Sequence, residues 1–501
     1  EMGQGPYTGL TQLVAEELDA DWSQMRVEAS PADDKKYQNM VFGMQGTGGS
    51  TSIANSFEQF RKAGATARHM LVAAAGEKWQ VPVSEITVSS GTISHKSSGK
   101  SATFGELASD AAQQTPPDNV RLKSPEQFNV IGKSVQRLDT PGKTNGKAIF
   151  TLDVKAENML VAVVAHPPKF GASVKSFNDT AAKKVKGVVL VKQVPQGVAV
   201  YAENTFAALK GRDKLSIEWD ESNAETRSSD TIIADYKRTM QQAGLEAARK
   251  GDVSAQFDEK TGNTIVEAEY VFPFLAHAPM EPLDAVLMRN QDGTIDCYSG
   301  AQFPGGDAKA IADVCGVARE KVTLHVQLAG GSFGRRAQFG SPYMKEAAEV
   351  FKASGMQRPV KHMWTREDDI RGGFYRPVYV HKLTGSVDTS GKITGWKQII
   401  AGQSIMGKDD LDETSVEGAS DLAYTIPNLH VISHNTQAGV PILWWRSVGH
   451  THTAYTVETF IDTLLEKAGQ DPIDGRIALL KEGAREIGVL NEVRKMLEAA
   501  G

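Results

Sequence analysis

Four glycine-bearing segments in this sequence each lead into a stretch with the apolar spacing of a helix. They are Glu1–Gly5, Gln45–Thr51, Ala329–Arg336 and Trp444–Gly449. Glycines ahead of a helix let backbone N–H groups approach an anion, and the first helical turn adds partial positive charge. Any one of these segments alone is more simply a tight loop. As a set they favour a large polyanionic cofactor that is held at several points.

Composition excludes several other classes of protein. The 501 residues predict about three domains at roughly 150 residues each. A net charge of −6, from 55 basic and 61 acidic residues, argues against a general nucleic-acid binder. No run approaches the roughly 18 apolar residues of a membrane span. The two cysteines, Cys297 and Cys315, are too few to hold an iron–sulfur cluster.

Hydrophobic periodicity predicts a mixed α+β fold. In the first part of the chain it predicts helices at Leu10–Leu18 and Ser52–Gly76, a short strand at Met25–Ala29 and a hairpin at Ile86–Ser94. A polar run at 113–125 is the best candidate for a linker.

The pattern changes near Arg137 to short strands at short intervals, which predicts a compact α+β module ending near Asp220. A helical segment at Asp230–Lys250 and a third region with longer strands follow, including the alternating strand Val322–Leu328. The predicted strands of the module are Ala148–Val154, Leu160–Ala165, Val188–Val194, Val198–Ala202 and Leu215–Trp219, with a helix near Ala207.

The common nucleotide-binding motifs are absent. The segment with Gly46 and Gly48 does not complete G-x-G-x-x-G because Thr51 occupies the last position, and Pro141 stands where a P-loop ending at Gly146-Lys147 needs its first glycine. Other candidates are weaker. His450 and His452 could share one face of an extended segment as metal ligands, but two histidines are more often polar loop residues.

Two further groups of polar residues have a structural and a functional interpretation. His277 and Glu281 could be catalytic, although a proline-bounded turn explains them more simply. The mixed charges of Arg366–Arg371 indicate a solvated or ion-paired surface.

At the glycine segments the chain resembles the large, molybdenum-binding subunit of the xanthine oxidase family of molybdenum hydroxylases. Gln302 matches the family glutamine beside the molybdenum oxo group, and Ser332 stands where the G-G-G-F-G loop usually has glycine. Arg446 matches the arginine of A-F-R-G-F-G, and Tyr375-Arg376-Pro377 matches a substrate-pocket segment. Arg137–Pro141 through Trp219-Asp220 is similar to the family's hammerhead module.

The order of these segments resembles the isoquinoline 1-oxidoreductase β-subunit and membrane-associated aldehyde dehydrogenase branch. There the E-M-G-Q-G loop precedes the hammerhead module, so the domain order is permuted. The resemblance implies residues 1–125 as part of the second molybdopterin-binding domain, 126–225 as the hammerhead domain and 226–501 as the first molybdopterin-binding domain.

The resemblance also implies a cofactor and roles for individual residues. The cofactor is molybdopterin with molybdenum, as the cytosine dinucleotide. Gln302 and Arg446 are the implied catalytic residues, and Phe333, Arg376 and Val448 are implied to face the substrate, with no direct protein ligand to the metal. The residues implied to contact the cofactor are Gly3, Gln4, Gly5, Gln45, Gly46, Thr47, Gly48, Gly49, Ser50, Thr51, Gln302, Gly331, Ser332, Phe333, Gly334 and Arg446.

The implied activity is hydroxylation of aldehydes or N-heterocycles, with water as the oxygen source. Because two cysteines cannot form the electron exit, a small [2Fe–2S] subunit and in some relatives a cytochrome c with haem are the implied partners. No nucleic-acid partner is expected. Members of this branch are typically periplasmic, and association with a membrane would come through the partners.

The family's catalytic glutamate lies in a G-x-G-E-P-G segment that this sequence does not contain. We therefore expect the chain to correspond to the central part of such a subunit, to need the remaining C-terminal part and to be inactive alone. Two alternatives stay open: a non-catalytic relative that binds a partner or an anion without molybdenum, and a cofactor-loaded enzyme with another substrate class.

Overall fold

The computed structural model describes residues 2–407 and 409–500. Helices and sheets alternate along this part of the chain, so the predicted α+β class is confirmed. Within the described ranges, no helix combines the length and apolar character that a bilayer crossing requires.

The α-helices in the described ranges are α1 Pro6–Leu18, α2 Asp34–Tyr37, α3 Thr51–Trp79, α4 Phe104–Ala111, α5 Thr140–Thr144, α6 Thr180–Lys183, α7 Thr205–Arg212, α8 Ser229–Thr239, α9 Val253–Gln256, α10 Pro304–Cys315, α11 Pro342–Ala353, α12 Arg366–Arg371, α13 His450–Lys467, α14 Pro472–Leu479 and α15 Arg485–Ala500.

The strands are β1 Ile86–Ser89, β2 Thr92–His95, β3 Lys100–Thr103, β4 Leu160–Ala165, β5 Ser173–Asn178, β6 Val188–Val194, β7 Gly197–Ala202, β8 Ser216–Asp220, β9 Leu245–Lys250, β10 Thr264–Phe272, β11 Leu275–Ala276, β12 Asp284–Arg289, β13 Ile295–Ser299, β14 Val322–Val326, β15 Val360–Met363, β16 Tyr375–Arg376, β17 Tyr379–Val387, β18 Ile393–Gln403 and β19 Asn428–Thr436.

A seven-stranded mixed sheet, in the order β14-β13-β12-β15-β4-β7-β6, forms the largest layer. Strands β4, β6 and β7 come from the segment 126–225, and β4 pairs in parallel with β15 from the segment 226–501. The apolar core of this layer lies between the sheet and helices α10 and α11. The predicted hammerhead segment thus shares its main sheet with the region that follows it, while the predicted domain boundaries remain a prediction.

A second layer is the five-stranded sheet β10-β17-β18-β19-β9. Helix α13 covers it, and Phe460, Ile461 and Leu464 of that helix are fully buried against Trp396 and Leu383. Burial of each such side chain stabilises the fold by roughly 2–3 kcal/mol, so this contact holds helix α13 on the sheet.

Helices α1 and α3 pack side by side and run in the same direction. Gly9 contacts Ile53 near the start of both helices, whereas Gly64 meets the Val14 carbonyl and the Glu17 side chain farther along. Gly64 allows this approach, because a Cβ there would lie 2.5 Å from the Val14 oxygen. A buried ion pair of 2.6 Å between Arg61 and Glu17 fixes the register. The N-termini of both helices therefore lie at the same end of the pair.

The structure contradicts three predicted elements. Met25–Ala29 forms no strand, and Ala148–Val154 contains only a 3₁₀ turn at Thr151–Asp153 and one bridge from Phe150 to Leu328. The predicted helix Asp230–Lys250 is helical only over α8, and its second half is strand β9, which pairs with β19. The helix and hairpin predictions for the first hundred residues are confirmed.

Candidate functional site

Three segments distant in sequence meet at the side chain of Gln302. Its Nε2 donates a hydrogen bond of 2.6 Å to the Thr47 carbonyl, and its Oε1 accepts one of 2.8 Å from the Ser332 hydroxyl. The Thr47 N–H also donates to the Gln302 carbonyl at 3.3 Å. The structure thus brings together residues from the second and third glycine segments, both of which the sequence analysis assigned to one cofactor.

Helix N-termini converge beside this contact. The backbone N–H groups of Gly46, Gly48, Gly49 and Ser50, just ahead of α3, have no acceptor among the described residues. The same holds for Gly3, Gln4 and Gly5 ahead of α1. Because α1 and α3 are parallel, both sets of free donors and both positive helix ends lie at one end of the pair. This is the environment that an anionic group prefers.

The loop Gly331–Gly334 presents four further backbone N–H groups that have no acceptor among the described residues. Gly331, Phe333 and Gly334 all have positive φ, at 99°, 57° and 107°. Phe333 adopts this conformation without being glycine, and its side chain is 40 % exposed. Such strain needs support from neighbouring residues, and it occurs often at ligand sites.

A buried ion-pair network braces that loop. The Glu281 carboxylate accepts the Gly330 N–H at 2.8 Å and an Arg336 N–H at 3.3 Å. Arg336 donates in turn to the carbonyls of Gly331 and Gly300. Burial raises the pKa of the neighbouring Asp284 well above its usual range. Glu281, a candidate catalytic residue in the sequence, therefore supports the backbone here.

The fourth glycine segment packs directly on the third. The Arg446 N–H donates to the Phe333 carbonyl at 2.8 Å. A Cβ on Gly334 would lie 2.1 Å from the Trp444 carbonyl oxygen, so only glycine permits this contact. Ser447 and Val448 both have positive φ, which for a β-branched valine is rare. The Arg446 side chain is exposed and has no partner within the described ranges.

A small pocket opens beside the Trp444–Gly449 segment and is lined by both Arg376 and Val448. Arg376 is buried, donates to the Pro273 carbonyl at 2.8 Å, and leaves its Nε without a partner in the described part of the chain. The pocket brings two predicted substrate residues together. Its other lining residues are Pro377, Tyr379, Ile405, Thr414, Leu443, Trp444, Trp445 and Thr451.

Two predicted cofactor contacts have their side chains occupied elsewhere. The Gln45 amide accepts the Asp33 N–H and donates to the Ser30 hydroxyl and the Pro31 carbonyl. The Thr51 hydroxyl donates to the Gly48 carbonyl and accepts from Asn39. These side chains shape the segment from within. The structure thus gives both side chains a structural role, and their contact with a cofactor stays a prediction.

The weaker candidates prove structural. His450 and His452 lie on helix α13 and not on an extended segment, and His452 is buried with Nδ1 2.9 Å from His381 Nε2. Burial lowers the pKa of both buried imidazoles. Within Arg366–Arg371, Asp369 is buried and pairs with Arg335 at 3.2 Å, so the cluster is not simply a solvated surface.

The sequence did not reveal three functional contacts: Ser332 with Gln302, Glu281 with the glycine loop, and Trp444 and Trp445 in the pocket wall. The only signal for the first was that Ser332 replaces a glycine usual in the family. A buried polar side chain in place of glycine indicates a partner.

The buried imidazole of His277 is expected to make the stability of the native protein depend on pH. Its Nε2 lies 2.7 Å from the Trp444 carbonyl, and burial lowers its pKa to about 4. The unfolded chain binds this proton near pH 6.5, so native stability is lost as the pH falls from about 6.5 to 4, by up to about 3 kcal/mol. We expect His277→Gln to reduce the shift of the urea midpoint between pH 7 and 4.5. A matched change at exposed His69 leaves the shift at its wild-type size, and an equal shift for both variants contradicts the assignment.

Two models of molybdopterin cofactor-binding domains match residues 1–164 and 236–478, and the second model of the pair matches ahead of the first. These ranges contain all the segments described above.

Two relatives extend over nearly the whole chain. The isoquinoline 1-oxidoreductase subunit beta of Brevundimonas diminuta is 29 % identical over 99 % of this chain and 69 % of its own length. The membrane-bound aldehyde dehydrogenase [pyrroloquinoline-quinone] of Gluconacetobacter polyoxogenes is 31 % identical over 97 % of this chain and 65 % of its own length. The chain therefore spans about two thirds of these relatives.

Solved structures with the same fold include quinoline 2-oxidoreductase from Pseudomonas putida 86. It has a TM-score of 0.61 and 17 % identity, covering 74 % of this chain and 54 % of that one. The aldehyde oxidoreductase from Desulfovibrio gigas has a TM-score of 0.58 and 16 % identity, covering 72 % and 46 %.

Proposed function

We propose that this chain, which belongs to the molybdopterin-binding subunits of the xanthine oxidase family of molybdenum hydroxylases, holds its cofactor among Gly46–Ser50, Gln302 and Gly331–Gly334. The observation that carries the proposal is the Gln302 amide. One of its N–H groups is bound to Thr47, and the other has no acceptor among the described residues and lies beside Gly48. A buried donor in that position needs an acceptor from a ligand.

The residues present fit such a cofactor. Two groups of free backbone N–H donors stand at helix N-termini, and a third forms the Gly331–Gly334 loop. An added Cβ on Gly3 or Gly5 would meet no atom within 4 Å, and one on Gly48 would meet the Gln302 amide at 3.8 Å. When bound, molybdopterin with molybdenum supplies the two-electron chemistry that oxidises a substrate carbon.

This chain's own residues would bind the cofactor and orient the substrate. Gln302 offers its free N–H to an acceptor on the cofactor. Arg446 is exposed and follows the pocket residue Trp445, so its positive charge would stabilise negative charge that develops on a substrate oxygen there. Arg376, Val448 and half-exposed Phe333 are the residues that we propose face the substrate. Because this sequence lacks the G-x-G-E-P-G segment, none of its residues is assigned the general-base role.

The finer parts of the proposal rest on the relatives. We propose hydroxylation of an aldehyde or an N-heterocycle with water as the oxygen source, and a cofactor in the cytosine dinucleotide form. A small [2Fe–2S] subunit, and a cytochrome c subunit where haem is used, would take the electrons, because the two buried cysteines of this chain cannot. A periplasmic location belongs to the same proposal.

A second candidate function is a binding subunit without molybdenum. Ser332 in the glycine loop, at a position where the family usually has glycine, favours it. The hydrogen bond from Ser332 to Gln302 weighs against it, because the replacement adds a contact to the site and does not obstruct it.

Gly48→Ala tests the cofactor site without disturbing the fold. Gly48 is outside the positive-φ region, and its added Cβ meets nothing nearer than Gln302 Nε2 at 3.8 Å. We expect the variant, purified with its partner subunits, to lose most of its molybdenum while Tm stays within about 2 °C.

The matched control for this test is Gly105→Ala in helix α4, where the added Cβ has equally open surroundings. We expect it to keep full occupancy of molybdenum. Wild-type occupancy per folded molecule in Gly48→Ala would remove the cofactor role from this segment.

A further inference from the structure

The Ser332 hydroxyl sits between two groups whose roles determine the direction of its hydrogen bonds. The Arg336 backbone N–H donates to Ser332 Oγ at 3.0 Å. An N–H can only donate, so the hydroxyl proton is free to point the other way, to Gln302 Oε1 at 2.8 Å. Ser332 is therefore the donor to the glutamine.

The far end of the glutamine amide is equally constrained. Gln302 Nε2 lies 2.6 Å from the Thr47 carbonyl oxygen, which can only accept. If the amide were rotated by 180°, its oxygen would face that carbonyl and two acceptors would be left in contact. Ser332 on one side and Thr47 on the other thus select one orientation of the amide.

Burial makes this selection strong. Ser332 is 3 % exposed and Gln302 is 7 % exposed, so water offers little compensation for a lost bond. In the selected orientation the NH₂ group faces Gly48, and its second N–H has no acceptor within the described ranges.

We propose that Ser332 is a positioning residue that holds the Gln302 amide with its free N–H directed to the cofactor side. The inference rests on the proposed function, and it assigns a role to the one residue by which this glycine loop departs from the family pattern. The Ser332 hydroxyl acts only through Gln302.

The first experiment measures the hydrogen bond without using catalysis. The full chain is labelled with ¹⁵N-glutamine, and the Gln302 NH₂ signal is identified by its loss in Gln302→Glu. We expect Ser332→Ala to speed exchange of these protons with water by roughly tenfold, and Ser332→Thr, which keeps the hydroxyl, to restore slow exchange.

Ser386→Ala is the matched control. It removes another buried serine hydroxyl, 2.9 Å from Thr394 in the five-stranded sheet. We expect no change at the Gln302 signal in this variant. Unchanged exchange in Ser332→Ala, or an equal change in Ser386→Ala, overturns the positioning role.

The second experiment uses the enzyme isolated with its partner subunits. We expect Ser332→Ala to retain molybdenum, to lower kcat by roughly fivefold or more and to leave KM within about twofold, with recovery in Ser332→Thr. Wild-type protein that holds no molybdenum contradicts the proposed function. Loaded Ser332→Ala protein with wild-type kcat contradicts only the positioning role.

Discussion

Asp369→Ala is expected to destabilise the protein by about 3–5 kcal/mol, because it leaves the Arg335 guanidinium buried without its counter-charge. The two side chains are 0 % and 1 % exposed, and the guanidinium carbon lies 5.2 Å from the centroid of the Trp364 ring and 5.6 Å from that of Phe374. Arg335 NH1 and NH2 have no other partner among the described residues. The measurement is the urea midpoint of the purified protein.

Two further variants separate the buried charge from general disturbance of helix α12. Glu367→Ala changes an exposed carboxylate on the same helix and should leave the midpoint nearly unchanged. Adding Arg335→Met to Asp369→Ala removes both charges and should recover much of the loss. A midpoint for Asp369→Ala equal to that of Glu367→Ala would show that the pair contributes nothing.

The second large effect is expected at Gly334. Gly334→Ala adds a methyl group at φ 107° and places it 2.1 Å from the Trp444 carbonyl oxygen. The positive φ alone costs about 1 kcal/mol, and the clash with backbone forces the Trp444–Gly449 segment away. We expect a loss of about 3 kcal/mol or more, measured as the urea midpoint, together with loss of molybdenum.

Gly340→Ala is the matched control for this prediction. Its φ is 70°, but an added Cβ there meets only Lys345 Nζ at 3.8 Å. We expect this variant to lose about 1 kcal/mol of stability, because of its backbone conformation alone, and to keep its full occupancy of molybdenum. If Gly334→Ala and Gly340→Ala lose the same amount of stability, the contact between the third and fourth glycine segments does not hold the site together.

Local sequence patterns correctly predicted the helices and strands that are stabilised mainly by contacts within the same stretch of chain. The helix expected at Ser52–Gly76 is observed as α3, Thr51–Trp79, because its apolar spacing persists over several turns. The helix expected over Asp230–Lys250 ends at Thr239, and strand β9 begins at Leu245. There the chain pairs with β19, nearly two hundred residues later, and no local pattern encodes that partner.

The sequence identified some residues of the candidate site but not the contacts that they make. Gln302, Arg446 and the glycine segments were found by resemblance, and their spatial proximity was not derivable from spacing. The structural interpretation favoured for Glu281 agrees with the structure, but the partners of Ser332 and Glu281 could not be derived from the sequence, because they depend on long-range contacts such as that between Glu281 and Gly330. A serine hydroxyl or a carboxylate can make many contacts, and only the fold decides which one it makes.

The parallel packing of α1 and α3 has a consequence for maturation of the protein. Each helix start carries roughly half a positive charge, and two such ends side by side repel each other. An anion bound between them would turn that repulsion into attraction, so the N-terminal region would gain stability as the ligand binds. If that anion belongs to the proposed cofactor, binding of the cofactor and folding of this end of the helix pair would be thermodynamically linked.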